Sequence, residues 1–111
     1  MITPGYQATL GLAIPTALGA KVACSYKKVF CISGVGGFMF NVQELSTAVA
    51  QNIDVTIIVF NVSAFGNVKR YQKESYCARY ISVDLHNPDM EMMGRSFGMT
   101  SLRRRTPCGP R

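Results

Sequence analysis

The sequence predicts an α/β fold, a parallel sheet with helices on both faces, and three observations carry that prediction. Apolar β-rich runs alternate with helical patterns in the order helix, strand, glycine turn, helix, strand, loop, helix, strand. The run VTIIVF at 55–60 has six apolar or β-branched residues without alternation, the mark of a strand covered on both faces. SGVGG at 33–37 follows an apolar run and leads straight into a helix start, as the crossover of a parallel pair begins.

Each element has its own signal. IPTALGAKVAC at 14–24 reads as the first helix, with Pro15 in the first turn, where its missing N–H does no harm. Its small residues Ala17, Gly19, Ala20 and Ala23 let it lie close against a sheet. SYKK at 25–28 is a polar break, and KVFCIS at 28–33 is a short buried strand that ends at a glycine turn. After the glycine turn, Asn41 and Glu44 stand as N-cap and N3 of a capping box. Val42, Leu45, Ala48 and Val49 then repeat at helical spacing through Gln51. Residues 63–80 are mixed, with a short helix first and an ordered loop after it.

HNPDMEMMGRSFG at 86–98 begins another helix, with Asn87 as cap, Pro88 as first helical residue and Asp89 and Glu91 at the positive end. Gly98 ends it. MTSLR at 99–103 reads as a third short strand, and RRTPCGPR beyond it has no periodicity. The organisation is therefore one partial α/β domain over 1–102 and an Arg-rich irregular tail over 103–111.

Composition sets the limits. A chain of 111 residues, 48% hydrophobic and 16% charged, is a single globular domain and not a disordered one. The net charge of +6 is unevenly placed: Arg103, Arg104, Arg105 and Arg111 leave residues 1–102 with eight Lys/Arg against six Asp/Glu. A basic tail binds nucleic acid or anionic membrane without specificity, but the body has no such bias, so nucleic acid is not the expected partner. Cys24, Cys31, Cys77 and Cys108 form no C-x-x-C pair and no zinc spacing with His86, which suits a reducing, cytoplasmic setting. ATLGLAIPTALGA at 8–20 is too short for a membrane span and lacks the charged flank of a signal peptide. NVS at 61–63 fits a glycosylation sequon that such a setting leaves idle.

Ligands of parallel α/β folds bind at the carboxyl ends of strands, and the loops there begin at Ser33 and Asn61. The first offers Gly34, Val35, Gly36 and Gly37 before a helix, the second Asn61, Val62, Ser63, Ala64, Phe65 and Gly66. On residue types alone the first loop is either a cradle for a small anion or a turn whose glycines are steric.

Taken together, SGVGGFMFNVQELSTAVAQNIDVTIIVFNVSAFGNV closely resembles the cofactor-binding motif of thiamine diphosphate-dependent enzymes. That motif runs Gly-Asp-Gly, some 25 residues of helix and strand, then Asn-Asn. GLAIPTALGAKVA at 11–23 is similar to that family's upstream Gly-x-Gly-x-Pro-Ala-Ala-x-Gly-Ala segment, and NPDMEMMGRSFGM to the helix after the motif. The resemblance covers nearly all of residues 5–102 and is nearest to the acetolactate synthase and benzoylformate decarboxylase group.

The resemblance implies thiamine diphosphate and Mg2+ as cofactors of a 2-keto acid lyase or transferase. It places the metal-ligand positions on Val35, Val62 and the carbonyl of Ala64. Gly34, Gly36 and Gly37 fall at the diphosphate, and Asn61 and Phe65 lie in the same second loop. Thr9, Leu10 and Gly11 fall where the family's backbone lies near the aminopyrimidine ring. Two of these positions depart from the pattern. Magnesium asks for oxygen ligands at about 2.1 Å in near-octahedral array, and valine has none to give. The activating glutamate of the family comes from a separate pyrimidine-binding domain, which these residues do not include. Glu44 is a helix-capping group rather than that residue, and His86 reads as a surface group, so no catalytic residue is assigned.

Smaller departures are CSYKK at 24–28 in place of a Pro-Asp turn, Cys77 in place of glycine, and RRRTPCGPR, which resembles a shifted reading frame or an artificial end. Three functions follow. The chain is a degenerate, inactive copy or fragment of the cofactor-binding domain, a working subunit completed by a partner's pyrimidine-binding domain, or a small basic protein acting through its tail. The incomplete sheet and the apolar GFMF at 37–40 predict self-association, most simply as a homodimer.

Overall fold

The computed structural model describes residues 1–3 and 9–104. The tail from Arg105 on, with Cys108 and Arg111, lies outside the described residues. Seven elements follow one another: α1 (Ala13–Ala23), β1 (Phe30–Gly34), α2 (Val35–Phe38), α3 (Glu44–Ala50), β2 (Thr56–Phe60), α4 (Gly66–Ser75) and α5 (Met90–Ser96). β1 and β2 pair in parallel, with Phe30 opposite Thr56, Ile32 opposite Ile58 and Gly34 opposite Phe60. The fold is thus α/β, with α2 and α3 forming the crossover that a parallel pair requires.

The core follows from the helical and strand periods. Ile14, Ala17 and Leu18 of α1 share one helix face and meet Cys31 of β1, Phe38 of α2, Leu45 and Ala48 of α3, and Val55. Of the small residues of α1, Ala17 alone is buried, and Gly19 has open space around it. Ile57 and Val59 of β2 border the same cluster, as do Met90, Met93 and Phe97 of α5. Phe38 lies within it, so GFMF is not one exposed patch; Phe40 is its exposed member.

Several expectations are corrected. β2 is not covered on both faces by the described residues. Phe30 is 62% and Phe60 61% exposed, and Ile32 and Ile58 stand exposed beside them on the outer sheet face. No third strand forms over 99–103 among the described residues. Gly98, at φ +88°, reverses the chain, the Met99 N–H donates to the Gly94 carbonyl, and Ser101 packs where a Cβ on Gly94 would stand.

The capping box is also absent. α3 begins at Glu44, later than expected, because Asn41 Nδ2 donates to the Gly11 carbonyl at 3.0 Å. α5 begins later too, capped by Asp89 rather than Asn87: its Oδ1 accepts the Glu91 and Met92 N–H groups, each at 2.9 Å. Those bonds, the Met92 N–H foremost, hold the Asp89 carboxyl below the usual carboxylate range. Arg103 reaches the same carboxylate at 3.5 Å.

Candidate functional site

β1 runs into α2 without an intervening loop. Gly34 is still extended, and Val35 already starts a single helical turn closed by the Met39 N–H on the Val35 carbonyl. Gly36 serves close approach rather than an unusual dihedral, whereas Gly37 has room for ordinary contact. A Cβ on Gly36 would stand 2.5 Å from Cδ1 of Phe65 and 3.6 Å from Cδ1 of Leu85. A Cβ on Gly37 would meet Ser33 Oγ, the Gly11 nitrogen and Leu10 Cδ2 at 3.4 to 3.9 Å. Gly11 itself needs to be glycine, at φ +90° with Asn41 seated against it. The Asn41 side chain therefore clips the turn before α1 to the region after α2.

The second loop is ordered by its own backbone. Asn61 Oδ1 accepts the Ser63 N–H at 2.9 Å in an Asx turn, which holds Ser63 at φ +52°, and also accepts from Asn87 Nδ2 at 3.2 Å. The Phe65 N–H donates to the Val83 carbonyl and the Leu85 N–H to the Ser63 carbonyl, both at 2.8 Å. Ala64 and Asp84 form an antiparallel bridge between these bonds. Lys69 of α4 adds an exposed ion pair to Asp84 at 2.5 Å. A strap at 83–85 thus ties the second loop down and sets the Phe65 ring over Gly36.

An open cavity of about 1060 Å³ runs along α1 and β1, from Lys27 and Lys28 before β1 to the loops at the carboxyl ends of the strands. Leu10, Gly11, Gly34, Val35, Gly36, Gly37, Val62, Ala64 and Phe65 all line it, and Thr9 does as well. Asn61 does not; its amide is turned to Ser63 and Asn87. Among the described residues the lining holds Lys27 and Lys28 but no carboxylate and no histidine. Cys31, also in the lining, is a neutral thiol that burial pushes further up. His86 is exposed, as expected for its turn.

The donor set does not fit a magnesium ion. Val35 is 1% exposed and Val62 66% exposed, and neither carries a lone pair; Ala64 offers a carbonyl alone. Among the described residues no three His, Cys, Asp or Glu side chains gather as a metal group. These side chains therefore route no reaction step through a metal of their own holding.

Sequence reasoning missed the strap. Val83 and Leu85 alternate with Asp84 in ISVDLH, a period-two signal only three residues long. It also missed Asn41 and Asn87 as the side chains that tie the loops to each other.

The family description "Thiamine pyrophosphate enzyme, C-terminal TPP binding domain" matches residues 1–109 (thiamine pyrophosphate and thiamine diphosphate are one molecule). The chain is 39% identical over 107 residues to the probable acetolactate synthase large subunit of Methanococcus aeolicus, covering 96% of this chain and 18% of that protein. It is 41% identical to the acetolactate synthase of Bacillus subtilis with the same two coverages. Against the acetolactate synthase isozyme 2 large subunit of Escherichia coli K12 the identity is 37% over 99 residues, or 88% of this chain and 18% of that one. The chain thus spans less than a fifth of each relative.

Proposed function

The chain belongs to the thiamine pyrophosphate enzyme family as a C-terminal, TPP-binding domain, and from that premise we propose that it is a degenerate copy of the cofactor domain of an acetolactate synthase-like 2-keto acid lyase or transferase. It keeps the fold and the cavity but lacks the side chains that hold a Mg2+–diphosphate, and it does not catalyse by itself. The observation that carries this reading is valine at both side-chain ligand positions, in a cavity whose lining has no carboxylate among the described residues. An isopropyl group next to the ion leaves part of its hydration shell unreplaced, at a cost on the scale of an unpaired polar group, ~2–7 kcal/mol.

Isothermal calorimetry with thiamine diphosphate and Mg2+ tests it. The native chain is expected to give no magnesium-dependent heat, and the double variant Val35→Asp, Val62→Asn a measurable one. Equal affinity in the two proteins overturns the reading.

A second reading is a working cofactor subunit completed by a partner that carries the pyrimidine-binding domain. The bare outer sheet face supports association, because parallel sheets are ordinarily covered on both sides. A homo-oligomer covers the same surface, and sedimentation of the chain alone and with the partner domain separates the two. Among the described residues no helix is long and apolar enough to cross a membrane; a cytoplasmic setting remains part of this proposal.

A further inference from the structure

We propose that Val35, Gly36, Phe65, Val83 and Leu85 form an apolar joint that holds the two ligand-side loops together without a cation. The proposal rests on the reading above, in which the metal-ligand side chains are gone, and adds what took over their structural task.

Ile14, Val35 and Val83 are the largest side chains that the fold buries almost completely. Ile14 belongs to the main cluster between α1, α3 and the inner sheet face. Val35 and Val83 do not, although Val83 is only 2% exposed. They sit instead at the carboxyl ends of the strands, one in the α2 turn and one in the strap. The Phe65 ring and Leu85 close over the bare backbone of Gly36, the residue next to Val35. Phe65 is fixed there by two backbone bonds between its loop and the strap.

A metal ion joins two loops by taking oxygen ligands from each, and the joint lasts while the ion is bound. A buried valine joins them by excluding water and needs no second component. Position 35 is the place where one device excludes the other. A carboxylate there requires the ion, whereas an isopropyl group completes an apolar contact that the ion would have to open. The second loop and the strap are therefore assembled before any ligand arrives, and divalent cations do not alter them.

Amide hydrogen exchange by NMR on the whole chain tests this at the two N–H groups that close the joint, Phe65 and Leu85. In the native protein their rates are expected to be the same in EDTA and in excess Mg2+. Val35→Ala is expected to raise both rates on the order of tenfold relative to the amides of the β1–β2 ladder. Gly36→Ala, whose added methyl pushes into the Phe65 ring, should do the same. Val35→Ala is the milder change and keeps the test open if Gly36→Ala does not fold. Unchanged rates in Val35→Ala overturn the proposal, as does native protection that appears only with Mg2+. Calorimetric binding of Mg2+–thiamine diphosphate by the native chain would overturn the proposed function instead, so the two failures are distinct.

Discussion

Val35 and Val62, the two residues proposed above to stand at side-chain metal-ligand positions, are treated by the structure in opposite ways. Val35 is 1% exposed within the α2 turn; Val62 is 66% exposed at the start of the second loop. One valine is packed and the other only borders the cavity. On the proposed reading, the same side chain on two sides of one site therefore meets two unlike settings. On the side of α2 the valine is part of the packing, and on the side of β2 it is surface. A burial argument and a metal argument make different forecasts for the two positions, and substitutions can pull them apart.

The sharpest break is Val35→Asp in metal-free buffer. An unpaired carboxylate in that setting is expected to cost about 3–5 kcal/mol, read from the midpoint of urea unfolding. A loss under about 1 kcal/mol would mean that the position hydrates freely and that burial does not distinguish it. Phe65→Ala should follow at about 2 kcal/mol, less than for a fully enclosed ring because Phe65 is half-buried.

Acid separates the joint from the last helix. The Asp89 carboxyl is held down by N–H donors at the start of α5, so its folded form stays ionised at lower pH than its unfolded form. The stability this gives is complete above the ordinary carboxylate range and fades as pH falls through the folded value. Helicity followed by circular dichroism from about pH 6 to about pH 3 should show a small loss that Asp89→Asn removes. Exchange at Phe65 should change little over the window once corrected for intrinsic chemistry, since Asp84, the carboxylate of the strap, is held only in an exposed pair with Lys69. The smallest effect belongs to Val62→Asn, within about 0.5 kcal/mol in the same urea assay.

The main elements were legible because their signals are local. The six-residue run VTIIVF marks β2, and the glycine-rich turn marks the change to helix. Nine of the ten positions named from spacing and resemblance line one cavity, while their part in holding a cofactor belongs to the proposal. What could not be read depends on partners far along the chain. Asn41 looks like a cap in its own neighbourhood, yet its amide is used thirty residues away on Gly11. MTSLR has strand composition, but the reversal at Gly98 returns it to α5 and away from the sheet. Val83 and Leu85 are too short a run to announce a strap, and their meaning appears only with Phe65 above Gly36.

α4 has a consequence of another kind. It buries no side chain, and residues with positive φ stand on both sides of it, Ser63 before and Cys77, Ala78 and Ser82 after. Its attachment is the exposed Lys69–Asp84 pair and a glutamine, Gln72, that bonds the Ile81 backbone. Such a segment opens at little cost while the rest of the chain stays folded. Lys69, Arg70 and Lys73 lie along it and Arg79 just after it, so trypsin would meet its substrate there first. The first nick would leave the α1–β1–α3 cluster folded, and raising the salt concentration, which weakens the Lys69 pair, would hasten it.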